Sequence, residues 1–351
     1  DVYKRQLSGI AAFFSITTFL FFAVGIVAGP VADRFGARRV VGVGAIFMGG
    51  GLWLTAQVQS LTAGVVVYGL GVGLGIGSYL VPLNAATGAW FERHRTIALG
   101  VNTVGIGLGT LVLVPVAEWL IRTAGWRSAF ELMGIGSFFV YGLVALASFK
   151  PPTPQASVAT SIEAVKRAVQ RSEFWRFYIA GFFMAIALFV PFVFLVQYAK
   201  DQGISSSTAA FLITSLGVGS VIGRLGLGIL GVRIGVLPLI VFCFAIQPVS
   251  YIVWLIAGSN YLLLLLFAAL LGVGYGGFVA LSPVAMVGIF GLEGMGGVLG
   301  VQFTSAGFGA LIGPISAGAI IDATGSYAIA IIGAIAISSV ATIAIYTLLR
   351  I

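Results

Sequence analysis

One phrase recurs in this chain at a fixed distance. Residues 29–36 read Gly-Pro-Val-Ala-Asp-Arg-Phe-Gly and residues 228–235 read Gly-Ile-Leu-Gly-Val-Arg-Ile-Gly. Gly29, Arg34 and Gly36 fall on Gly228, Arg233 and Gly235, 199 positions on. The same offset carries Phe91 onto Phe290 and Pro115 onto Pro314. Each copy lies between two long apolar stretches. Two copies in the same sense imply two like halves related by an axis along the membrane normal. The offset also gives the segment near 174–199 a counterpart ahead of Asp1, so one further helix is expected before this chain. The opening Asp-Val-Tyr-Lys-Arg-Gln reads as a truncation or assembly scar and is set aside from the fold reading.

Composition supports the membrane setting. Hydrophobic residues are 60% of the 351 positions and charged residues 8%, where a soluble domain carries about 25% charged. A hydrocarbon core needs about 20 apolar residues per helix. The apolar runs lack the alternation of a membrane β-barrel. Fifty glycines suit helices that approach closely in lipid. The glycine runs at 71–77 and 105–109 follow no strand and precede no Lys-Ser/Thr, so they are not nucleotide loops. The net charge of +8 is confined to short loops, which excludes a nucleic-acid face. The lone cysteine, Cys243, and lone histidine, His94, exclude a disulfide framework and a multi-histidine metal site. No metal or cofactor is expected.

Eleven membrane spans are expected, near 7–30, 40–57, 61–88, 96–121, 127–149, 174–199, 206–230, 236–257, 261–288, 297–321 and 326–349. They divide into an N-terminal bundle (1–149, five helices) and a C-terminal bundle (174–351, six helices). The linker, 150–173, holds a short amphipathic helix with Ile162, Val165 and Val169 on its apolar face, lying on the membrane surface. The fold class is all-α and polytopic, two pseudo-symmetric bundles with eleven of twelve helices present. Arg34, Arg38, Arg39, Arg93, Arg95, Arg171 and Arg233 gather on one side, while Arg122, Arg127 and Lys200 fall on the other. The positive-inside bias makes the first side, and the C-terminus, cytoplasmic. Trp53, Trp119, Trp126, Trp175 and Trp254 are expected as interfacial anchors.

The loop Gly29-Pro30-Val31-Ala32-Asp33-Arg34-Phe35-Gly36-Ala37-Arg38-Arg39 resembles the signature loop between helices 2 and 3 of the major facilitator superfamily. That resemblance implies a cytoplasmic gate of Asp33, Arg34, Arg38 and Arg39, whose charge pairs form and break between states. The alternative is a solvated loop. The second copy has Val232 in place of the acid, which implies a weaker latch there. Trp90-Phe91 with Arg93, Arg95, Ala98 and Gly100, then Gly125-Trp126-Arg127, then Gly313-Pro314 with Asp322-Ala323-Thr324-Gly325 are similar to the monocarboxylate and oxalate/formate transporter group.

Arg224 is the leading substrate-binding candidate. It follows Gly217, Gly219 and Gly223 in an apolar span, and Gly25 is its counterpart in the first half, so the charge breaks the repeat. A cation at a helix centre costs about 2.5–3.5 kcal/mol, and the acids of the chain read as loop or helix-end residues. Two readings stay open: a partner brought by the substrate, or snorkelling toward the near membrane surface. The resemblance implies that an arginine in this context binds a substrate carboxylate. Some relatives have an Asp where this chain has Ser220, and oxalate carriers have a Lys in helix 11 where this chain has no cation. One cation favours a monoanion. Tyr275, Tyr79 and Gln302 are further candidates; a Tyr also suits an interfacial belt, and a Gln also ties helices together.

The expected function is secondary transport of small organic monocarboxylates by alternating access, with proton symport as the coupling that cancels the anion's charge. A drug or metabolite exporter of the same fold and a non-transporting membrane sensor are the alternatives. No nucleophile set, carboxylate pair or metal spacing supports an enzyme. The expected setting is a monomer in a cell membrane, with a bacterial inner membrane preferred.

Overall fold

The computed structural model describes residues 5–91, 95–149, 158–291 and 294–350. Every regular element among them is helical. They are α1 (Arg5–Phe35), α2 (Ala37–Gln57), α3 (Leu61–Trp90), α4 (Arg95–Ala147), α5 (Val158–Val169), α6 (Ser172–Leu188), α7 (Val190–Asp201), α8 (Ser206–Ile234), α9 (Val236–Ala257), α10 (Tyr261–Phe290), α11 (Met295–Thr324) and α12 (Tyr327–Tyr346), with a closing 3₁₀ turn at Thr347–Arg350. Nine helical stretches among the described residues are long and apolar enough to cross a membrane, and Phe14–Gly29 of α1 is a shorter apolar one.

Two of the expected spans form one helical run, and another is divided. Spans 96–121 and 127–149 are two arms of α4, which is broken at Gly125 (φ 81°, ψ 161°). Span 174–199 is α6 and α7, joined at Phe189. Pro191 has no N–H to give the carbonyl four residues back, at Ala187. The hydroxyl of Tyr251 donates to that carbonyl instead.

The sequence repeat is a repeat of helix breaks. Gly36 (φ 87°, ψ 143°) and Gly235 (φ 95°, ψ 155°) separate α1 from α2 and α8 from α9. Their N–H groups close the preceding helices by donating to the Ala32 and Gly231 carbonyls, at 2.7 and 3.1 Å. A side chain would strain both positive-φ positions. Gly125 and Gly325 are also positive-φ positions, at φ 81° and 67°, but they lie 200 apart and differ in ψ, 161° against 12°. Starts are set by caps as well: Ser60, Ser205, Asn260 and Ser326 accept from backbone N–H groups of α3, α8, α10 and α12.

Within each half the helices pack in matching pairs. α1 lies on α3 and α2 on α4; α8 lies on α10 and α9 on α12. The α8–α10 seam is a small-residue contact. A Cβ on Gly219 or Gly223 would overlap the carbonyls of Ala269 or Val273, and one on Gly272 or Gly276 would overlap those of Leu216 or Ser220. Four glycines at i, i+4 spacing thus let the two backbones touch. The halves meet where α1 packs on α11 and α4 packs on α8.

Two sequence expectations are corrected. The linker helix α5 buries Ala164 and Ala168, with Val165 and Val169 beside them, against a core that includes Phe174, Phe177 and Leu239. Ile162 is instead exposed. α5 packs against α11 and α6, because its alanine face fits close to them. Trp254 is no interfacial anchor. It is 1% exposed, stacked on Phe267 at 4.8 Å and edge-on to Tyr198 at 5.6 Å. Trp53, Trp119, Trp126 and Trp175 are exposed as expected.

The seam yields a test. Gly223→Leu or Gly276→Leu would force the backbones apart, and overpacking of this kind costs about 1–3 kcal/mol or more. Gly226, where a Cβ would meet nothing within 4 Å, is the control. Size-exclusion profiles and thermal melts in detergent should show the first two variants destabilised and Gly226→Ala unchanged.

Candidate functional site: a buried arginine between the two halves

The α8–α10 seam sets the site. Gly223 lies against the α10 backbone, and the next residue of α8 is Arg224. Tyr275 precedes Gly276 on the facing stretch of α10. The close approach brings the Arg224 guanidinium carbon to 5.4 Å from the Tyr275 ring centroid, within cation–π range. On its other side the guanidinium reaches α4 of the first half. A Cβ on Gly107 would lie 2.9 Å from Arg224 Nη1 and 2.6 Å from Val221 Cγ2. Tyr79 of α3 is within electrostatic reach of both Arg224 and Tyr275. Four helices from both halves therefore converge on one charge.

That charge is enclosed and unanswered. Arg224 is 2% exposed, which excludes the snorkelling arrangement. Among the described residues no acceptor meets hydrogen-bond geometry at Nε, Nη1 or Nη2, and the side chain of Tyr275 is a looser polar contact. Among the described residues the one ion pair is Arg171–Glu173, at 2.8 Å. Other acids are engaged elsewhere: Glu131 accepts from Gln57, and Asp201 accepts from Tyr327 and Gln197. Burying a guanidinium costs several kcal/mol, while a desolvated cation–π contact returns about 2 kcal/mol. The shortfall makes the site attractive to a carboxylate, whose two oxygens match the guanidinium fork.

Arg224, Tyr275 and Tyr79 are thus brought together. Gln302 is held elsewhere. It is buried in α11, where its amide makes long contacts of 3.5 Å to the Phe177 carbonyl and to Ser305 Oγ, tying α11 to α6. These contacts fit the helix-linking alternative, while its Oε1 is buried with no hydrogen-bond partner among the described residues.

The expected gate residues divide. Asp33 and Arg34 fall in the last turns of α1, but their side chains lie outside the described residues. Arg38 and Arg39 are exposed at the start of α2 and line a groove with the end of α4, within the same half. Neither forms an ion pair with the other half among the described residues. His94 lies outside the described residues.

Sequence reasoning missed two members of the site, Gly107 and Phe192, and noted Ser220 only as a departure from relatives. Gly107 was read only as part of a helix seam, although its missing side chain admits the guanidinium. Ser220, one turn before Arg224, is buried with Oγ unpartnered. Phe192 stands edge-on to Tyr275 at 6.0 Å. It continues into a ring cluster with Phe14 and Phe189, at 6.2 and 5.9 Å. No periodicity marks Gly107 and Phe192, because they reach the site from other helices.

Comparison with known proteins agrees with this architecture. Residues 4–202 and 177–350 both match the Major Facilitator Superfamily. The chain belongs to that superfamily. It is accordingly a multi-pass membrane transporter and not an enzyme. Monocarboxylate transporter 4 of Gallus gallus is 30% identical over 331 residues, covering 89% of this chain and 68% of the relative. The aspyridones efflux protein apdF of Emericella nidulans is 27% identical over 332 residues, covering 91% and 65%. The chain therefore spans about two thirds of these relatives. Among solved structures, the nucleoside transporter NupG superposes with a TM-score of 0.69 at 14% identity, over 98% of this chain and 91% of that one. The human organic anion transporter MFSD10 gives 0.71 at 16% identity, over 96% and 83%. At these identities the superpositions establish the fold alone.

An unpartnered buried charge should weigh on stability. Arg224→Met, similar in reach and uncharged, should melt at an equal or higher temperature than the parent protein, since apolar replacement of buried ionic groups is neutral or stabilising by about 1–4 kcal/mol. A markedly lower melting temperature would mean that the guanidinium already has a stabilising partner.

Proposed function

We propose that this transporter moves small organic monocarboxylates by alternating access, with Arg224 as the carboxylate ligand. One observation carries the reading: a cation buried between the two halves has no carboxylate beside it among the described residues, and its three nitrogens lack a well-formed hydrogen bond there. A site between the halves is exposed to either side when the bundles rock about it. Tyr275 and Tyr79 form its uncharged walls, and Ser220 Oγ is a further unused polar group. Gln302 supports α11. The domain boundaries that go with this mechanism are 1–149, 150–173 and 174–351.

Charge supports a coupled proton. A carboxylate crossing alone works against or with about 2.3 kcal/mol per 100 mV; a proton carried with it removes that term. The side rich in arginine is cytoplasmic in this reading, as is the C-terminus, and the setting is a monomer in a cell membrane of bacterial inner-membrane type. Asp33 and Arg34 belong to the cytoplasmic latch of the N-terminal half.

A second reading rests on the ring cluster beside Tyr275. Phe14, Phe189 and Phe192 suit a bulkier organic acid, as an exporter of metabolites would carry, and one of the relatives is named an efflux protein. Both readings use Arg224, so substrate size separates them.

Proteoliposome uptake of labelled lactate, pyruvate, formate and acetate tests the assignment. Loss of a charged hydrogen-bond partner costs about 1.5–3 kcal/mol, so Arg224→Ala should reduce uptake by roughly 10- to 100-fold. Arg224→Lys, which keeps the charge but loses the fork, should fall between. Equal uptake by parent and Arg224→Ala would remove the basis for a carboxylate cargo. A lumenal pH dye reads the coupling: symport acidifies the lumen in step with uptake, and uniport leaves it steady.

A further inference from the structure

A path of aromatic contacts runs from Arg224 to a place where the two halves meet. The Tyr275 ring has the Arg224 guanidinium on its face, 5.4 Å from its centroid. The same ring stands nearly perpendicular to Phe192 of α7, at 6.0 Å and 78°. Phe192 is stacked on Phe14 of α1, at 6.2 Å and 18°. Phe14 belongs to the first half, so a continuous run of rings links the buried charge to the opposite bundle. Phe189, at the break between α6 and α7, closes the layer. Its ring lies 5.9 Å from Phe192, 5.8 Å from Phe14 and 6.4 Å from Phe22. Phe14 and Phe22 are eight residues apart and so share one face of α1.

The layer covers one side of the charge. α1 ends at Phe35, just before Arg38 and Arg39, so its earlier residues lie toward the face opposite the arginine-rich one. Phe14 comes eleven residues before Gly25, the repeat equivalent of Arg224, roughly 16 Å along a helix. Contacts within the second half differ in kind from the contact between halves. α7 is fastened to its own half at both ends. The Tyr251 hydroxyl donates to the Ala187 carbonyl at its root, and the Tyr327 hydroxyl donates to Asp201 at its tip. The contact from α7 to Phe14 is ring on ring. Rings part without stranding a donor or acceptor, whereas breaking the bond at Ala187 would strand a buried carbonyl. When the halves separate on this face, α7 therefore stays with its half and the rings of α1 leave it.

We infer that Phe14, Phe22, Phe189 and Phe192 form a gate that seals the Arg224 site from the face opposite the arginine-rich one, and that Arg224 holds this gate shut through Tyr275. The guanidinium attracts the negative face of the Tyr275 ring, and this fixes the plane of the ring. With its plane fixed, Tyr275 stays perpendicular to Phe192 and keeps Phe192 stacked on Phe14. Without the cation the Tyr275 ring is free to turn. Phe192 then loses its support, and the contact between the halves weakens. An anion seated on the guanidinium has the same effect, because it answers the charge that the ring was answering. Occupancy of the site thus loosens the gate. That last step rests on the carboxylate reading above; the gate and its link to Arg224 do not.

Spin-label distances across the gate test the inference in the purified full chain without substrate. Gln59 and Lys200 are exposed on the gate face, one in each half. The free cysteine, Cys243, is buried and is replaced by Ala. The Gln59→Cys/Lys200→Cys pair should give a short distance when the gate is shut and a longer one when it is open. Phe14→Ala/Phe192→Ala should raise the longer population roughly 2- to 10-fold, the equilibrium factor for losing an aromatic pair. Arg224→Met and Tyr275→Leu should each raise it about 2- to 30-fold, the range for a cation–π contact. Tyr275→Phe keeps the ring and should leave the populations as in the parent. A Lys200→Cys/Ser259→Cys pair, within the second half, should not move. If the double alanine variant is too unstable to purify, Phe14→Leu reads the same contact with the core kept apolar. Unchanged distances in the Phe14 variants would overturn the gate, and so would equal movement of both label pairs. A gate that opens in the Phe14 variants but in neither Arg224→Met nor Tyr275→Leu would overturn its link to the site. The carboxylate assignment fails on a different measurement, uptake, so the two failures are distinguishable.

Discussion

The centre of this protein is organised around a positive charge that has no acidic partner among the described residues. Arg224 is buried, its three nitrogens lack a well-formed hydrogen bond there, and Tyr275 supplies a ring face but no anion. The cost of burying a guanidinium exceeds what one aromatic contact returns. The surrounding structure must therefore hold the charge in place. It does so through the α8–α10 seam, where backbone touches backbone, and through Gly107, whose missing side chain leaves room for the guanidinium.

The frame around that charge is symmetric, and the site is not. Gly36 and Gly235 break their helices with nearly the same dihedral angles. At the position equivalent to Arg224 the first half has Gly25, and a Cβ there would lie 2.8 Å from Val81. One copy of the repeat uses the position to pack two helices closely; the other uses it to present a charge to the opposite half. A duplicated scaffold thus acquires a single polar centre at its dividing plane.

Much of this was legible before any coordinates. Apolar length marked the spans, because a bilayer demands about 20 apolar residues per crossing. Arg224 stood out because a charge in such a span needs a reason. What escaped was set by contact across helices. Gly107 and Phe192 carry no local signal, since a glycine in a glycine-rich helix and a phenylalanine in an apolar one look ordinary. Gln302 looked like a site residue because polarity in a span is conspicuous, yet polarity does not tell which helix a side chain faces. Trp254 was misplaced for the same reason: nearness to a span end says nothing about whether a neighbouring helix covers it. α5 turned its alanine face inward, because small side chains let it approach α6 and α11 more closely than Ile162 would.

By itself, then, the sequence determined the all-helical membrane fold, the two-fold repeat and the presence of one anomalous cation. These follow from hydropathy, glycine spacing and charge, which act along the chain. Only the tertiary structure decided that the cation is sealed in rather than drawn to the surface, that the Tyr275 ring stands beside it, that Gln302 contacts α6, and that Arg38 and Arg39 border a groove. Those outcomes depend on how closely helices distant in sequence approach one another, and that distance is set by pairs of small residues whose partners no single segment names.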